Sequence, residues 1–163
     1  MKRAVVITAS DSSYRGERED LSGPAVKEIL VKNGYVVTEM IILPDDRTMI
    51  GNKMAEIADE NRAELILTTG GTGFSPRDCT PEATLDIAER MVPGIPEAMR
   101  AYSMQFTKRA MLTRAAACIR KSTLIINLPG SPKAVRECLE YIVDSLEHGI
   151  DILTGEAGDC ARK

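Results

Sequence analysis

The sequence has few of the side chains on which covalent catalysis usually depends. It contains a single histidine, His148, and its 163 residues offer no Ser-His, Cys-His or H-E-x-x-H arrangement. His148 lies near the end of the last predicted helix, where we interpret it as a helix C-terminal residue. We therefore expect chemistry that depends on positioning and charge neutralisation, as phosphoryl and nucleotidyl transfer do.

Cysteine patterns for zinc binding are also missing. The four cysteines, Cys79, Cys118, Cys138 and Cys160, are widely spaced, with no C-x-x-C pair and no neighbouring histidine to complete a site. We predict that they are reduced thiols in or near the core.

The charge balance and the apolar runs exclude two further classes of partner. A net charge of −3 and an aromatic share of 4% provide neither attraction to a phosphodiester backbone nor a stacking platform for bases. The longest apolar runs are too short to span a bilayer, and "RAVVITA" near the start reads as a buried strand, although a basic pair precedes it. These features predict a cytoplasmic protein that binds no nucleic acid and no membrane.

Strand and helix patterns alternate along the chain without a linker, which predicts one domain over residues 1–163. The fold class is α/β, a three-layer α/β/α arrangement with a mainly parallel sheet and one antiparallel edge strand. Strands are expected at 3–9, 35–43 and 64–69, with two tightly joined, antiparallel strands within 115–128.

Capping residues mark the helices between these strands. Ser22, Thr80 and Ser131 are the predicted N-caps of three helices, and Asp45 or Asp46 is the predicted N-cap of a fourth. The segment 91–114 is a proline-broken connection followed by one or two short helices.

Polar loops follow the parallel strands, so they should converge at the carboxyl edge of the sheet. In "TTGGTG", Gly70, Gly71 and Gly73 allow the backbone to approach an anion, and Thr72 adds a hydroxyl. The loop matches neither the Walker A motif nor G-x-G-x-x-G, so a tight structural turn stays open as an alternative.

The turn "PGSPK", at the start of the last helix, also combines a glycine with groups that favour an anion. Gly130 bares the backbone, Ser131 caps a helix N-terminus that favours anions, and Lys133 adds a positive charge. Alone it would be a capping turn, but two such turns on one sheet edge suit a ligand with several phosphates.

Carboxylates in the same loops indicate a cation. Asp45, Asp46 and Asp78 would repel phosphates unless a cation lay between them, and Mg²⁺ takes one or two carboxylates together with phosphate oxygens. Asp78 could instead pair with its neighbour Arg77.

Five segments together resemble one family, the molybdopterin-binding proteins of molybdenum-cofactor biosynthesis, of the Mog/MoaB type. They are "LTTGGTGFSPRDCTPEAT", "LPGSPKAVRECLE", "SDSSYRGEREDLSGP", "VPGIPEAMR" and "LPDD", within a likeness that runs from about residue 3 to residue 154. The resemblance implies Mg-ATP-dependent adenylylation of molybdopterin with release of pyrophosphate, a trimer or a hexamer, and a molybdate-insertion enzyme as the partner that takes the product.

The resemblance also assigns roles to particular residues. Asp45 and Asp78 become the acidic residues for the metal and the nucleotide, and the two glycine turns hold phosphate and ligand backbone. The phosphate- and substrate-binding residues it implies are Gly70, Gly71, Thr72, Gly73, Gly130, Ser131, Lys133, Asp11, Asp20, Ser22 and Glu97. A non-catalytic molybdopterin carrier that uses the same loops, and a scaffold protein with an incidental phosphate turn, remain the alternatives.

Overall fold

A six-stranded sheet forms the centre of the computed structural model, which describes residues 1–157. The strands are β1 (Arg3–Ala9), β2 (Val36–Leu43), β3 (Leu65–Thr69), β4 (Arg90–Met91), β5 (Ala117–Arg120) and β6 (Thr123–Leu128). They lie in the order β2-β1-β3-β6-β5-β4, with β2, β1, β3 and β6 parallel and β5 antiparallel to both of its neighbours. The mainly parallel sheet with an antiparallel edge is confirmed. The two-residue β4 was not predicted.

Helices cover both faces of the sheet. They are α1 (Asp11–Tyr14), α2 (Ser22–Lys32), α3 (Arg47–Asp59), α4 (Thr80–Ile87), α5 (Gly94–Ser103) and α6 (Pro132–Thr154), with a 3₁₀ turn at Lys108–Leu112. One core packs α2, α5 and α6 against the sheet, and a second core packs α3 and α4 against the opposite face. This is the predicted three-layer arrangement. One or two short helices were expected after a proline-broken connection; the 3₁₀ turn fits this, but α5 already begins at Gly94, within the predicted connection.

Alternate residues of each central strand enter opposite cores, which explains the continuous apolar runs. Val5 and Ile66 contact the α3–α4 core, whereas their neighbours Val6 and Leu67 contact the α2–α6 core. Because these strands are buried on both faces, most of their side chains are apolar, and buried polar ones such as Thr8, Thr69 and Asn127 lie near the carboxyl ends. The carboxyl ends of β1, β2, β3 and β6 meet at one edge of the sheet, as predicted.

Two of the four predicted helix caps are confirmed. Ser131 caps α6 by accepting the N–H of Ala134 at 3.2 Å. Asp46 caps α3 by accepting the N–H of Met49 at 2.8 Å, which leaves Asp45 available for another role.

The other two predicted caps are wrong. Ser22 is already inside α2, and the carboxylate of Asp20 accepts the N–H groups of Ser22 and Gly23 at 3.1 and 3.0 Å instead. Thr80 is the first residue of α4, where Cys79 occupies the N-cap position without a side-chain hydrogen bond. In both helices the hydroxyl predicted to cap the N-terminus faces another part of the molecule.

The cysteines agree with the prediction where they are described. Cys79, Cys118 and Cys138 are free thiols, of which Cys118 and Cys138 are buried and Cys79 is half-buried. Cys160 lies outside the described residues. His148 lies in the C-terminal half of α6, and none of the helices within residues 1–157 is long and apolar enough to cross a bilayer.

Candidate functional site

A polar cavity of about 390 Å³ lies at the carboxyl edge of the parallel strands. Its walls come from the ends of β1 and β3, the loop between α1 and α2, and the turn before α6. Asp45, Gly70, Gly71 and Asp78 line it, as do Asp20, Ser22, Gly130 and Ser131. The structure therefore brings together most of the residues that the sequence nominated from four separate loops.

The turn after β3 needs glycine for steric reasons within the protein itself. Gly70 has φ +89° and Gly71 has φ +69°, values in the left-handed region. A Cβ atom at Gly70 would overlap the carbonyl oxygen of Ala9, and one at Gly71 would overlap the hydroxyl of Thr80. The bare backbone thus serves the packing of the turn and, because both glycines line the cavity, also exposes main chain to a ligand.

Asp78 closes this turn from within. One carboxylate oxygen, Oδ2, accepts the N–H groups of Gly73 and Ser75, each at 3.1 Å. No hydrogen bond to the other oxygen, Oδ1, occurs within the described part of the chain, and the side chain borders the cavity. Asp78 is therefore both a brace for the loop and a candidate ligand.

Arg114 holds the same turn from outside, and the sequence reasoning missed it. Its Nε donates to the carbonyl of Gly73 at 2.7 Å, its Nη2 donates to the carbonyl of Asp78 at 3.0 Å, and its Nη1 pairs with Glu82 at 2.6 Å. Its main-chain N–H also donates to the carbonyl of Thr72 at 2.8 Å. Its side-chain partners lie 32 to 41 residues away along the chain, so no local pattern indicated its role.

Asp11 and Asp45 join two loops by a reciprocal pair of hydrogen bonds. The N–H of Asp11 donates to Asp45 Oδ2, and the N–H of Asp45 donates to Asp11 Oδ1, both at 3.0 Å. Arg77 binds Asp11 through two hydrogen bonds of 3.0 and 3.1 Å and holds the pKa of that carboxyl below its usual value. Arg77 thus pairs with Asp11 and not with its neighbour Asp78.

One oxygen of Asp45 has no partner. Asp45 Oδ1 and Thr80 Oγ1 are both buried without a hydrogen bond, and both lie beside Gly71. Burial raises the pKa of Asp45, the N–H of Asp11 opposes this shift, and the charges of Asp11 and Asp78 add to it. A half-buried carboxylate with one buried, unpaired oxygen would be stabilised by a cation.

The donor set fits Mg²⁺ bound together with a substrate. Within residues 1–157, no group of three His, Cys, Asp or Glu side chains could hold a metal by itself. Mg²⁺ does not need such a group, because it takes one or two carboxylates and completes its shell with water and phosphate oxygens. Asp45 and Asp78, which both line the cavity, would supply those two carboxylates.

The turn before α6 is held by hydroxyl groups. Thr69 Oγ1 donates to the carbonyl of Pro129 at 2.6 Å, and Ser22 Oγ donates to the carbonyl of Gly130 at 2.5 Å. A Cβ atom at Gly130 would lie 3.4 Å from the Cα of Gly70, so the two turns pack main chain against main chain. The start of the 23-residue helix α6 faces the cavity beside them.

Several predicted site residues lie outside this cavity. Lys133 is exposed on the first turn of α6, and Glu97 is exposed on the first turn of α5. Thr72 is buried and Gly73 is engaged by Asp78 and Arg114, so both act within the turn. Asp11 reaches the cavity only through its bonds to Asp45.

A second cavity, of about 210 Å³, lies between α5, the 3₁₀ turn and the start of α6. Its lining is mainly apolar and includes Met99, Ala115 and Pro129, with Arg100 and Arg109 among its polar residues. Pro129 borders this cavity, and the next residues, Gly130 and Ser131, border the polar one. A single turn therefore separates a polar cavity from an apolar one.

Comparison with known proteins identifies the family to which the chain belongs. Residues 5–148 match the family model described as a probable molybdopterin binding domain. The chain is 41% identical over 154 residues to the molybdopterin adenylyltransferase of Helicobacter pylori (strain J99), covering 92% of this chain and 86% of that protein. It is 40% identical over 154 residues to the molybdopterin adenylyltransferase of Escherichia coli (strain K12), covering 91% and 79%.

A solved structure shows the same architecture. The molybdopterin biosynthesis enzyme MoaB from Thermus thermophilus superposes with a TM-score of 0.90 at 43% sequence identity. The match covers 95% of this chain and 98% of that one.

Proposed function

The chain belongs to the family of probable molybdopterin binding domains, and we propose that it is an adenylyltransferase that joins the AMP portion of ATP to molybdopterin and releases pyrophosphate. The observation that carries this proposal is Asp45, whose buried carboxylate oxygen lacks a partner at the wall of a polar cavity. A carrier of a phosphorylated pterin gains nothing from such a negative charge, whereas an enzyme that binds a metal–nucleotide complex requires one.

The polar cavity suits the phosphates of ATP. The main chain of Gly70, Gly71 and Gly130 lines it without side-chain obstruction, and the N-terminus of α6 favours negative charge at Ser131. Hydroxyls of Thr69 and Ser22 are already used to hold the turn before α6, so they fix the position of that main chain. Such a site binds phosphate by geometry that exists before the ligand arrives.

The apolar cavity suits the ring system of the pterin. Its lining of methionine, alanine and proline offers a contact surface for a flat ring, and Arg100 and Arg109 provide donors at its edge. Because Pro129 to Ser131 separate the two cavities, a pterin bound there could extend its terminal phosphate past this turn towards ATP.

The reaction needs no protein nucleophile. An oxygen of the terminal phosphate of molybdopterin forms a bond to the α-phosphorus of ATP, while the bond from that phosphorus to the bridging oxygen of the β-phosphate breaks. Asp45 and Asp78 would hold Mg²⁺, which when bound neutralises charge on the triphosphate. The N–H of Asp11 fixes Asp45, and the N–H groups of Gly73 and Ser75 fix Asp78.

A homo-oligomer, a trimer or a hexamer, is part of the proposal, as are a cytoplasmic location and a molybdate-insertion enzyme that takes the product. Support for self-association comes from β2, which lies at the edge of the sheet and exposes Val36, Met40 and Ile42. Light scattering coupled to size-exclusion chromatography would measure the molar mass, and a mass of about 17.8 kDa, that of one chain, would contradict this part.

The deciding experiment compares Asp45→Asn with the parent protein in the presence of molybdopterin, ATP and Mg²⁺. We expect the parent to form adenylyl-molybdopterin, detected by mass spectrometry, and to release pyrophosphate. Turnover by Asp45→Asn and Asp78→Asn should fall by about 100-fold or more, since removal of a group that organises transition-state charge has effects of that size.

Asp46→Asn is the matched control, because asparagine also caps helices and Asp46 serves as the cap of α3. It should retain turnover. Binding of molybdopterin by the parent without any adenylylation would assign the protein to the carrier class. Unchanged turnover in Asp45→Asn would refute the role given to this carboxylate.

A further inference from the structure

The wall of the polar cavity is unexpectedly acidic for a phosphate site. Of the described residues that line it, four are acidic, Glu19, Asp20, Asp45 and Asp78, and one is basic, Arg18. Two other arginines near the site are already paired, Arg77 with Asp11 and Arg114 with Glu82. Arg18 is therefore the cationic side chain that the cavity offers to a ligand.

Arg18 makes no ion pair within residues 1–157, although four carboxylates line the same cavity. Asp20 accepts the hydroxyl of Thr8 at 2.7 Å and two main-chain N–H groups, and Asp45 and Asp78 accept main-chain N–H groups. Most other arginines in the described chain bind a carboxylate; they are Arg3, Arg15, Arg47, Arg62, Arg77, Arg114, Arg120 and Arg136. Among the described residues, the guanidinium of Arg18 is thus left without a protein anion.

The segment that carries Arg18 is fixed at both ends. On one side, the N–H of Glu17 donates to the carbonyl of Ser12 at 2.9 Å, and its carboxylate pairs with Arg15 at 3.0 Å. On the other side, Asp20 is held by its three hydrogen bonds at the start of α2. Only Arg18 and Glu19 lie between these anchors, so the loop presents Arg18 at a defined place on the cavity wall.

We propose that Arg18 binds the β- and γ-phosphates of ATP and thus the pyrophosphate that leaves. This inference rests on the proposed function, since it assigns a residue to the leaving group of that reaction. A guanidinium can bind two phosphate oxygens at once and stays charged at any physiological pH. It also offsets the repulsion that Glu19 and Asp20 would exert on a polyphosphate.

The positions of the two cavities indicate that Arg18 binds the leaving pyrophosphate and not the phosphate of the pterin. In phosphoryl-group transfer the attacking and leaving oxygens lie roughly in line on opposite sides of the phosphorus. The pterin phosphate would arrive past the turn at Pro129 from the apolar cavity, which Arg18 does not line. The pyrophosphate then leaves on the side away from that turn, within the cavity where Arg18 lies.

The test measures binding of three probes to the full chain by isothermal titration calorimetry with Mg²⁺. The probes are α,β-methylene ATP, which cannot transfer its adenylyl group, inorganic pyrophosphate and AMP. Arg18→Gln should weaken binding of the first two by about tenfold to 100-fold, the loss expected for charge-assisted hydrogen bonds, and leave AMP unchanged. Arg18→Lys should give a smaller loss of affinity, because lysine keeps the positive charge but cannot bind two phosphate oxygens with a planar guanidinium.

Arg90→Gln is the matched control, since Arg90 is also an exposed arginine and lines neither cavity. It should bind all three probes as the parent does. Equal binding of pyrophosphate by parent and Arg18→Gln would overturn the inference, as would an equal loss for AMP. If Arg18→Gln raised the KM for molybdopterin but left pyrophosphate binding unchanged, the inference would also be overturned. Arg18 would then be assigned to the phosphate of the pterin.

The same measurements separate this inference from the proposed function. If the parent adenylylates molybdopterin and Arg18→Gln does so with unchanged KM for ATP, only the assignment of Arg18 fails. If the parent binds pyrophosphate through Arg18 but forms no adenylyl product, the polyphosphate site stands and the adenylyltransferase proposal fails.

Discussion

The two turns that form the floor of the polar cavity are built by different means. The turn after β3 has two glycines with positive φ and is held by the charged side chains of Asp78 and Arg114. The turn before α6 is held by two hydroxyls that donate to its carbonyls, and its glycine, Gly130, has no positive φ. The first depends on steric necessity and charge, and the second on neutral hydrogen bonds and a helix N-terminus.

This difference shows that two turns with similar glycine, serine and threonine content can require glycine for different physical reasons. At Gly70 and Gly71 the protein's own atoms occupy the space that a side chain would need. At Gly130 the nearest atom to a Cβ would be at 3.4 Å, an ordinary contact distance. A larger residue is therefore excluded from the first turn by folding, and from the second only if a ligand needs the space.

The largest expected effect is a difference in stability between alanine substitutions at Gly70 and at Gly130. We expect Gly70→Ala to lower the free energy of unfolding by at least about 3 kcal/mol, because it combines a disfavoured φ with overlap on the main chain of Ala9. Gly130→Ala should cost less than about 1 kcal/mol. Urea denaturation of both variants measures the contrast. Equal losses would mean that the two glycines serve the same purpose.

The next largest expected effect is a difference in stability between variants of Arg114 and Ser22, the side chains that hold the two turns. Arg114→Gln leaves Glu82 without its partner and removes donors from two carbonyls, so we expect a loss of about 2 to 3 kcal/mol in the free energy of unfolding. Ser22→Ala removes one hydrogen bond to Gly130, for a loss of about 1 kcal/mol. Thermal denaturation would test this order, and a larger loss in Ser22→Ala would reverse it.

The smallest effect concerns the helix cap of the second turn. Ser131→Asp should leave stability within about 0.5 kcal/mol of the parent, because aspartate is an equally good N-cap and also suits the helix dipole. Its negative charge should nevertheless weaken pyrophosphate binding at the cavity. Calorimetry on Ser131→Asp and Ser131→Ala would show whether charge, and not the cap, controls binding. Unchanged binding in Ser131→Asp would remove this turn from the phosphate site.

The sequence was sufficient for the parts of the fold that depend on local periodicity. The central strands and α6 have continuous or regularly spaced apolar residues, so their positions were predicted closely. Short elements such as α1 and β4 bury little apolar surface and leave no such pattern. Convergence of the loops followed from the parallel strand order, which is why Asp45 and Asp78 were expected at the sheet edge where they lie.

The site residues that were missed or misassigned all depend on contacts between distant segments. Ser22 looks like a cap, but its hydroxyl reaches Gly130, 108 residues away, while Asp20 takes the capping role. Arg114 reaches Asp78 across 36 residues. Arg18 lies in the segment "SDSSYRGEREDLSGP", but the resemblance gave it no role, and its unpaired guanidinium appears only when the ion pairs of the other arginines are known. Local patterns cannot report such partners.

The close packing of Gly70 against Gly130 also has an evolutionary consequence. On the Gly70 side of the cavity floor, the protein's own main chain fills the space that a side chain would need, so a point mutation there disturbs the fold. The wall between α1 and α2 is different, because Arg18, Glu19 and Leu21 are exposed side chains on a loop whose main chain is held at Glu17 and Asp20. Differences in ligand preference among related chains are therefore expected at Glu19 and Leu21, on either side of Asp20, while Gly70 stays the same.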